Sequence, residues 1–249
     1  SVTYSLVYDV SGTGNFYNDP LFCNVDSSDF TLHDNSPCVG TGQDGANIGA
    51  LGVGCGTFSG GTGGDITVGE SPYYISTTGS EFASGTESDP FASLYVAFEM
   101  TESGDTIYVL PGTYSGDYNQ EINLGYSYDL TIIGTGSADE TIFELTNAFI
   151  SMSRGSALDI QNITFTGTTV NGYALSASGD ADGYTTSLTL DSCKFINLSQ
   201  SGAVRFSSYV TGNISNCVFS GNVGRLGDPY IILASTYGTL NLSGCLFYN

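Results

Sequence analysis

The sequence of 249 residues contains no tryptophan, one histidine and only 4 lysine or arginine residues, against 25 aspartate or glutamate residues. The net charge of -21 argues against nucleic acid as a partner, because phosphate binding depends on clustered Lys and Arg. It also disfavours anionic membranes and polyanionic substrates such as polyuronates. No apolar run approaches the roughly 18 residues of a membrane span, and no basic segment followed by an apolar one marks a signal peptide.

What the sequence has in quantity is glycine and aromatic residues, with 34 Gly, 17 Tyr and 14 Phe. Hydrophobic residues make up 40% of the chain, which is enough for a packed core. The length allows one large domain or two small ones. This composition favours strands and turns over helices.

Six cysteines and four Asn-x-Ser/Thr triplets bear on the compartment. No Cys-x-x-Cys motif and no Cys/His cluster at metal-ligand spacing occurs, so a zinc site is not expected. The triplets begin at Asn162, Asn197, Asn213 and Asn241 and would be glycan acceptors in a secreted eukaryotic protein. Asn, Ser and Thr are also ordinary turn residues, which is the alternative interpretation. The cysteines, the triplets and the scarcity of lysine together predict an extracellular or cell-surface location.

The second half of the chain contains four similar segments in which apolar and polar residues alternate and a phenylalanine ends the pattern. They are residues 158–165, 188–195, 212–219 and 240–247, so the phenylalanines recur every 24 to 30 residues. Such a period, with short strand-like runs and no helical stretch, predicts a solenoid in which each repeat is one coil of a parallel β-helix. Asn197, Asn222 and Asn249 follow the phenylalanines and are predicted to be turn residues.

Cys193, Cys217 and Cys245 each precede the repeat phenylalanine by two residues. The register therefore predicts an inward ladder of sulfurs about 4.8 Å apart. Parallel side-chain directions give poor disulfide geometry, so we expect buried thiols in preference to a bridge.

One short amphipathic helix is predicted near residues 89–102, ahead of the repeats. Asp89 would be its N-cap, Pro90 its first residue and Gly104 its closing residue. Apolar residues at helical spacing from Phe91 to Phe98 would form its buried face. A helix in this place would cover the open apolar end of the solenoid.

The start of the repeat region also resembles a known family. Residues 73–80, 89–91 and 104–114 resemble the opening of right-handed parallel β-helix proteins of the pectate-lyase-like superfold, in particular the surface repeat proteins similar to polymorphic outer-membrane proteins. The resemblance implies an all-β fold, a right-handed parallel β-helix (solenoid) at residues 66–249 with one N-terminal capping helix. Residues 1–55 resemble the closing coil and terminal loops of the same family, and residues 56–65 form a Gly-rich linker.

The closing segment thus precedes the opening segment in this chain. The chain could belong to a longer tandem array, residues 1–55 could cap their own solenoid, or they could complete the open end of a neighbouring copy. The last arrangement gives a head-to-tail filament, because a heterologous interface of this kind does not close. We expect the tandem or neighbour-capping arrangement, with an assembly segment that comprises Tyr4, Leu6, Asn18, Asp19, Pro20, Leu21, Phe22 and Phe247.

The superfold hosts polysaccharide lyases and hydrolases, but the residues for either chemistry are scarce here. The resemblance implies that a lyase would use a carboxylate-bound Ca²⁺ and a basic residue, and the candidates are only Arg154, Lys194, Arg205 and Arg225. The carboxylate-pair, His-Gly and Arg-x-Lys motifs of β-helix polygalacturonases are missing. Asp180 and Asp182, in a glycine-flanked turn, are a weak candidate for Ca²⁺ binding, and a polar turn is the simpler interpretation. No catalytic residue and no cofactor other than this Ca²⁺ is expected.

The sequence therefore predicts a structural subunit of an extracellular filament, sheath or surface array, with other copies of itself as partners. A glycan-binding surface adhesin is the alternative, because tyrosines cluster at Tyr114, Tyr118, Tyr126 and Tyr128. Tyrosines stacked along a solenoid are more often structural, because aromatic ladders stabilise successive coils, and this is the simpler interpretation of the cluster. A polysaccharide lyase or hydrolase is the more remote one.

Overall fold

The computed structural model describes residues 20–24, 29–48, 51–56, 70–167, 173–181, 184–199, 202–223, 231–234 and 237–248. The chain divides into two compact units, Ser1–Thr67 and Val68–Asn249. No helix in the described ranges has the length and apolar character that a membrane crossing requires.

The first unit contains a three-stranded sheet of β1 (Phe22–Asn24), β2 (Asp29–His33) and β3 (Val53–Cys55), and a short 3₁₀ turn at Gln43–Gly45. β1 runs antiparallel to β2, whereas β2 and β3 are parallel. Leu21, Leu32 and Cys38 are buried. A disulfide between Cys23 and Cys55 joins the two outer strands. A small apolar core and a cross-link therefore hold this unit together.

The second unit is a parallel β-solenoid in which successive coils add one strand to each of three sheets. Its strands are β4 (Tyr73–Ser80), β5 (Asp105–Val109), β6 (Gly112–Tyr114), β7 (Ile122–Leu124), β8 (Asp129–Gly134), β9 (Thr141–Leu145), β10 (Ile150–Met152), β11 (Ala157–Gln161), β12 (Thr164–Gly167), β13 (Leu175–Ala177), β14 (Thr186–Asp191), β15 (Lys194–Ile196), β16 (Val204–Phe206), β17 (Val210–Ser215), β18 (Val218–Ser220), β19 (Ile232–Ala234), β20 (Thr239–Ser243) and β21 (Leu246–Tyr248). A 3₁₀ turn spans Asp117–Asn119.

The three sheets have the orders β4-β5-β8-β11-β14-β17-β20, β6-β9-β12-β15-β18-β21 and β7-β10-β13-β16-β19, and their strand pairings are parallel. Parallel strands joined by crossovers within one sheet are almost always right-handed. The predicted all-β parallel β-helix is therefore confirmed.

A ladder of aromatic rings runs through the core, as the four repeats predict. Phe165, Phe195, Phe219 and Phe247 stack with centroids 4.8 to 5.0 Å apart. The ladder also continues through Phe143 to Tyr114, in coils whose sequence does not show the repeat. Ring stacking of this kind adds to the free energy gained by burial.

The turns between the seven-stranded and six-stranded sheets use a left-handed residue in successive coils. Asn162, Ser192, Asn216 and Gly244 occupy this position with φ between 54° and 63°, a conformation that Gly and Asn adopt most readily. At the following turn, Asn197 is also left-handed, but Gly221 is its counterpart in the next coil.

Asn222 is therefore not the turn residue that the sequence predicts. Its side chain is buried, where Nδ2 donates to the Phe195 carbonyl at 2.8 Å and Oδ1 accepts from the Leu198 amide at 3.0 Å. It satisfies backbone groups of the preceding coil.

The helix α1 spans Leu94–Met100, shorter than the predicted 89–102, and its N-cap is Ser93. Asp89 instead closes a turn, where its Oδ2 accepts from the Ser84 amide at 2.8 Å. Phe91 is held by isolated β-bridges, so the chain is still extended after Pro90. α1 contacts β4, the first strand of the seven-stranded sheet, and buries Leu94, Val96 and Ala97 in the core. It therefore covers this end of the solenoid.

Candidate functional site

The predicted tyrosine cluster separates into structural and exposed members. Tyr114 is buried and its hydroxyl donates to the Leu110 carbonyl at 2.7 Å, and burial raises its pKa. Tyr128 is half-buried and its hydroxyl donates to the Thr101 carbonyl at 2.6 Å. Only Tyr118 and Tyr126 are exposed, so the predicted cluster does not form one surface.

A different set of aromatic residues lies along the solenoid, at the turns that lead into the seven-stranded sheet. Ala157 pairs with Asp129 in one neighbouring coil and with Ser187 in the other. The same register places Arg154 between Tyr126 and Tyr184. The Arg154 guanidinium lies 5.6 Å from the Tyr126 ring centroid and 4.8 Å from that of Tyr184. Both distances allow cation–π attraction; we call Tyr126, Arg154 and Tyr184 the first ladder.

Asp180 fixes the position of the arginine in this ladder. Its Oδ2 accepts from Arg154 Nη1 at 2.8 Å, and both side chains are about one-third exposed, at 38% and 35%. The pair neutralises the one positive charge in the first ladder. Asp180 therefore bonds to a guanidinium, and Asp182, the other residue predicted to bind Ca²⁺, lies outside the described residues.

Tyr209 and Tyr237 form the second ladder, with ring centroids 5.1 Å apart and planes at 12°. They are matched in register because Thr211 pairs with Thr239. Tyr209 is not matched with Tyr184: Thr186 pairs with Val210, which aligns Tyr209 with Thr185. The two ladders are consequently offset by one residue.

The backbone at the second ladder is strained. Tyr209 and Tyr237 have φ of 60° and 64°, in the left-handed region where bulky residues are rare. The corresponding position in an earlier coil is Gly155, for which φ of 79° is unstrained. Strain of this kind costs on the order of 1–3 kcal/mol and is concentrated at functional sites.

An open groove of about 240 Å³ lies where the two ladders are offset. It is lined by Asp180, Ala181, Tyr184, Thr185, Tyr209, Val210, Thr211, Tyr237 and Thr239. Tyr184 and Tyr237 are 52% and 74% exposed. The groove thus offers aromatic surface together with threonine hydroxyls and a carboxylate, and it is smaller than the roughly 300–1,000 Å³ of drug-sized pockets.

The four predicted glycosylation asparagines occupy different environments. Asn197 is exposed at a turn, and Asn162 is half-buried, with Nδ2 3.5 Å from the Gly134 carbonyl. Asn213 and Asn241 are neighbours in successive coils, and Asn241 Nδ2 donates to Asn213 Oδ1 at 2.9 Å. Of the four, Asn197 and Asn241 are exposed.

The three repeat cysteines stack as the register predicts. Cys193 and Cys217 are buried, Cys245 is half-buried, and all three are thiols. Each Sγ lies 3.4 to 3.8 Å from a backbone carbonyl of the preceding coil. Burial raises the pKa of Cys193 well above its ordinary value, which disfavours the reactive thiolate form.

Residues of the predicted assembly segment lie in both units. Tyr4, Leu6, Asn18 and Asp19 lie outside the described residues. Pro20 and Leu21 are buried in the first unit, and Phe22 packs edge-on against Phe30 at 5.5 Å. Phe247, the last ring of the aromatic ladder in the second unit, is 50% exposed.

Lys194 and Arg205, the other basic residues in the described ranges, do not gather with Arg154. Lys194 Nζ is 2.6 Å from Asp139 Oδ1, and Arg205 points outward from β16. Arg225 lies outside the described residues.

One cluster was missed by sequence reasoning. His33 Nδ1 lies 3.1 Å from Cys55 Sγ, beside the Cys23–Cys55 disulfide. The two cysteines are 32 residues apart, so no spacing motif reveals them. Pairing of β2 with both β1 and β3 brings these side chains together.

Comparisons with known proteins give little beyond the fold. No protein-family model matches the chain, and no curated protein matches it. Among solved structures, a rhamnogalacturonan lyase is similar at 17% sequence identity and a TM-score of 0.44. The match covers 72% of this chain and spans half of that protein. The parallel β-helix rests on the strand pairing described above rather than on this similarity.

Proposed function

We propose that the chain is a surface protein that binds glycans in the groove between the two tyrosine ladders. The observation that supports this most directly is the exposed, strained pair Tyr209 and Tyr237. Tyrosine combines an apolar ring with a polar hydroxyl, and so matches the apolar faces and hydroxyls of a sugar. The Asp180 carboxylate and the hydroxyls of Thr211 and Thr239 supply hydrogen-bonding groups at the same place.

The expected ligand class is a neutral oligosaccharide. The net charge of -21 repels polyanions at long range. Arg154 is neutralised by Asp180 and lies between two rings, so it does not provide a free cation for a uronate carboxylate. The groove volume of about 240 Å³ suits one or two sugar rings at a time.

The test is a binding titration of the full chain with neutral hexasaccharides of glucose, xylose and mannose, with oligogalacturonate as the charged comparator. Calorimetry measures the binding. Tyrosine fluorescence, which no tryptophan masks, follows the change in tyrosine environment, and the variants assign that change to the groove. We expect saturable binding of a neutral sugar. Tyr209→Ala or Tyr237→Ala should weaken it roughly tenfold, about 1.4 kcal/mol.

The matched control is Tyr118→Ala, because Tyr118 is 57% exposed but lies outside the groove. It should bind as the unmodified chain does. Equal losses in Tyr118 and Tyr209 variants, or binding of oligogalacturonate alone, would contradict the proposal. New reducing ends or unsaturated products in the same mixtures would instead support a polysaccharide-degrading enzyme.

Head-to-tail assembly is the second candidate, and the exposed apolar residues of the last described coil favour it. Leu242, Leu246, Phe247 and Tyr248 are 48 to 59% exposed. Phe247 stacks on Phe219 at 4.8 Å, so its outer face can continue the aromatic ladder into a second copy of the chain. Large apolar residues exposed together on one coil are typical of an association surface.

Sedimentation velocity over a hundredfold range of concentration tests this assembly. We expect the unmodified chain to form ordered polymers and the double variant Leu246→Asp/Phe247→Asp to lose them. Tyr126→Asp is the control, because it adds a charge at an exposed site elsewhere, and it should still form polymers. A monomer at every concentration would rule assembly out.

A further inference from the structure

The geometry around the disulfide of the first unit resembles that of a metal site. One ligand atom from each of Cys23, His33 and Cys55 can be chosen so that all three lie within 4.8 Å of one another. All three residues are half-buried. Within this cluster, His33 Nδ1 lies 3.1 Å from Cys55 Sγ, and it also lies 2.5 Å from the Gly56 carbonyl oxygen, to which its N–H donates.

These distances suit zinc. Zn²⁺ binds thiolate sulfur at about 2.3 Å and imidazole nitrogen at about 2.0–2.1 Å, in a tetrahedral arrangement. Ligand atoms in such a shell are therefore about 3.3–3.8 Å apart. His33 Nδ1 and Cys55 Sγ are already near this separation. The two sulfurs, which are bonded to each other, must move apart, and Nδ1 must release the Gly56 carbonyl.

We propose that reduction of the Cys23–Cys55 disulfide converts this cluster into a zinc site. Two thiol molecules supply two electrons and two protons, which gives two cysteine thiols and one new disulfide between the reductant molecules. Zn²⁺ then displaces both thiol protons to solvent. His33 Nδ1 releases the Gly56 carbonyl, the imidazole proton moves to Nε2, and Nδ1 donates its lone pair to the metal, with water in the fourth position. The disulfide and the zinc site exclude one another, because the same two sulfurs form both.

Each of the three ligands comes from a different strand of the three-stranded sheet. Cys23 and Cys55 come from the outer strands of the three-stranded sheet, and His33 ends the central strand. Backbone pairing positions these strands. A metal can therefore replace the covalent link between β1 and β3 without a new fold.

The experiment uses the full chain, either oxidised or reduced with dithiothreitol and then desalted without oxygen. Zn²⁺ is titrated in competition with a chromophoric chelator, and Co²⁺ is the spectroscopic probe for thiolate ligation. We expect one equivalent of Zn²⁺ in the reduced chain and none in the oxidised chain. A reduced chain that binds no zinc would overturn the proposal.

Variants separate this site from the other thiols. Cys55→Ser should abolish binding, whereas Cys245→Ser, which removes a half-buried solenoid thiol, should retain one equivalent. His33→Asn keeps the disulfide, so it can be folded in the oxidised form and then reduced; its affinity should fall at least tenfold and its Co²⁺ spectrum should change. Unchanged binding in His33→Asn or in Cys55→Ser would show that zinc binds elsewhere.

Discussion

The two units of the chain hold their strands together by different physical means. In the solenoid, each coil repeats the side chains of the one before, so that Phe195 lies between Phe165 and Phe219 at 5.0 Å on either side. The described residues of the first unit form a mixed sheet, bury Leu21, Leu32 and Cys38, and contain one disulfide. Repetition thus makes a core that grows with every coil, whereas a small unit needs a cross-link to offset its limited burial.

Truncating a ring of the aromatic ladder tests whether stacking between coils stabilises the solenoid, and it should give the largest change in the free energy of unfolding. Phe195→Ala removes a fully buried ring with neighbours on both faces, so the free energy of unfolding should fall by about 3–5 kcal/mol. Chemical denaturation followed by circular dichroism measures it. Phe247→Ala is the control, because its ring is half exposed and, among the described residues, stacks only on Phe219. An equal loss there would contradict the ladder.

Removing the Cys23–Cys55 disulfide tests whether this cross-link stabilises the sheet of the first unit. In Cys23→Ser/Cys55→Ser the opening free energy of β1–β3 should fall by about 2–5 kcal/mol, because the unfolded loop is no longer constrained. Hydrogen exchange with mass spectrometry resolves the two units separately. The protection of β8, β11 and β14 against hydrogen exchange should not change. If these solenoid strands also lost protection, the stability of the two units would be coupled.

A buried polar side chain tests whether the solenoid depends only on apolar stacking. Asn222→Ala leaves the Phe195 carbonyl and the Leu198 amide without their partner, which should cost about 1–3 kcal/mol. Thermal and urea unfolding measure the loss. Asn197→Ala, at an exposed turn, is the comparison, and a larger loss there would mean that turn conformation outweighs buried hydrogen bonding.

The smallest expected effect is a pH dependence from Asp191 on the solenoid. Its pKa is lowered from 3.8, chiefly because Ser215 Oγ donates to its carboxylate, and Asn216 and Ser192 donate as well. A lowered pKa stabilises the folded state above the ordinary value, and this stabilisation is lost as the pH falls through the lowered pKa. The urea midpoint of the unmodified chain should therefore exceed that of Asp191→Asn at pH 7.

The difference in urea midpoint between the unmodified chain and Asp191→Asn should shrink below about pH 4. Asp159→Asn serves as the control, since the Asp159 side chain accepts one longer bond, 3.3 Å from Gln161 Nε2. A difference between Asp191→Asn and the unmodified chain that is constant from pH 3 to pH 7 would contradict the role of the carboxylate.

The groove offers a further test that distinguishes function from stability. Tyr209→Gly and Tyr237→Gly relieve a left-handed backbone, as Gly155 does in an earlier coil, while they remove the aromatic surface. We expect sugar binding to weaken roughly tenfold with little or no loss of unfolding free energy. A large loss of stability would show that the second ladder is structural.

Parts of the candidate site could be foreseen and others could not. The recurring phenylalanines and cysteines predicted their own stacking, because one residue type repeats at one register position. The tyrosines of the groove do not follow that repeat: Tyr184 and Tyr209 are offset by one residue in register. Tyr114 and Tyr128 do not contribute to one binding surface with Tyr118 and Tyr126, because burial and backbone hydrogen bonds hold both rings.

By itself, the sequence determined the solenoid, its inward ladders and the acidic charge, since each depends on residue types that recur along the chain. Tertiary structure alone decided which side chains meet across coils and strands. Arg154 lies between Tyr126 and Tyr184, and His33 lies beside the Cys23–Cys55 disulfide. The reason is physical: contacts between coils depend on the exact number of residues in each turn, and no local propensity sets that number.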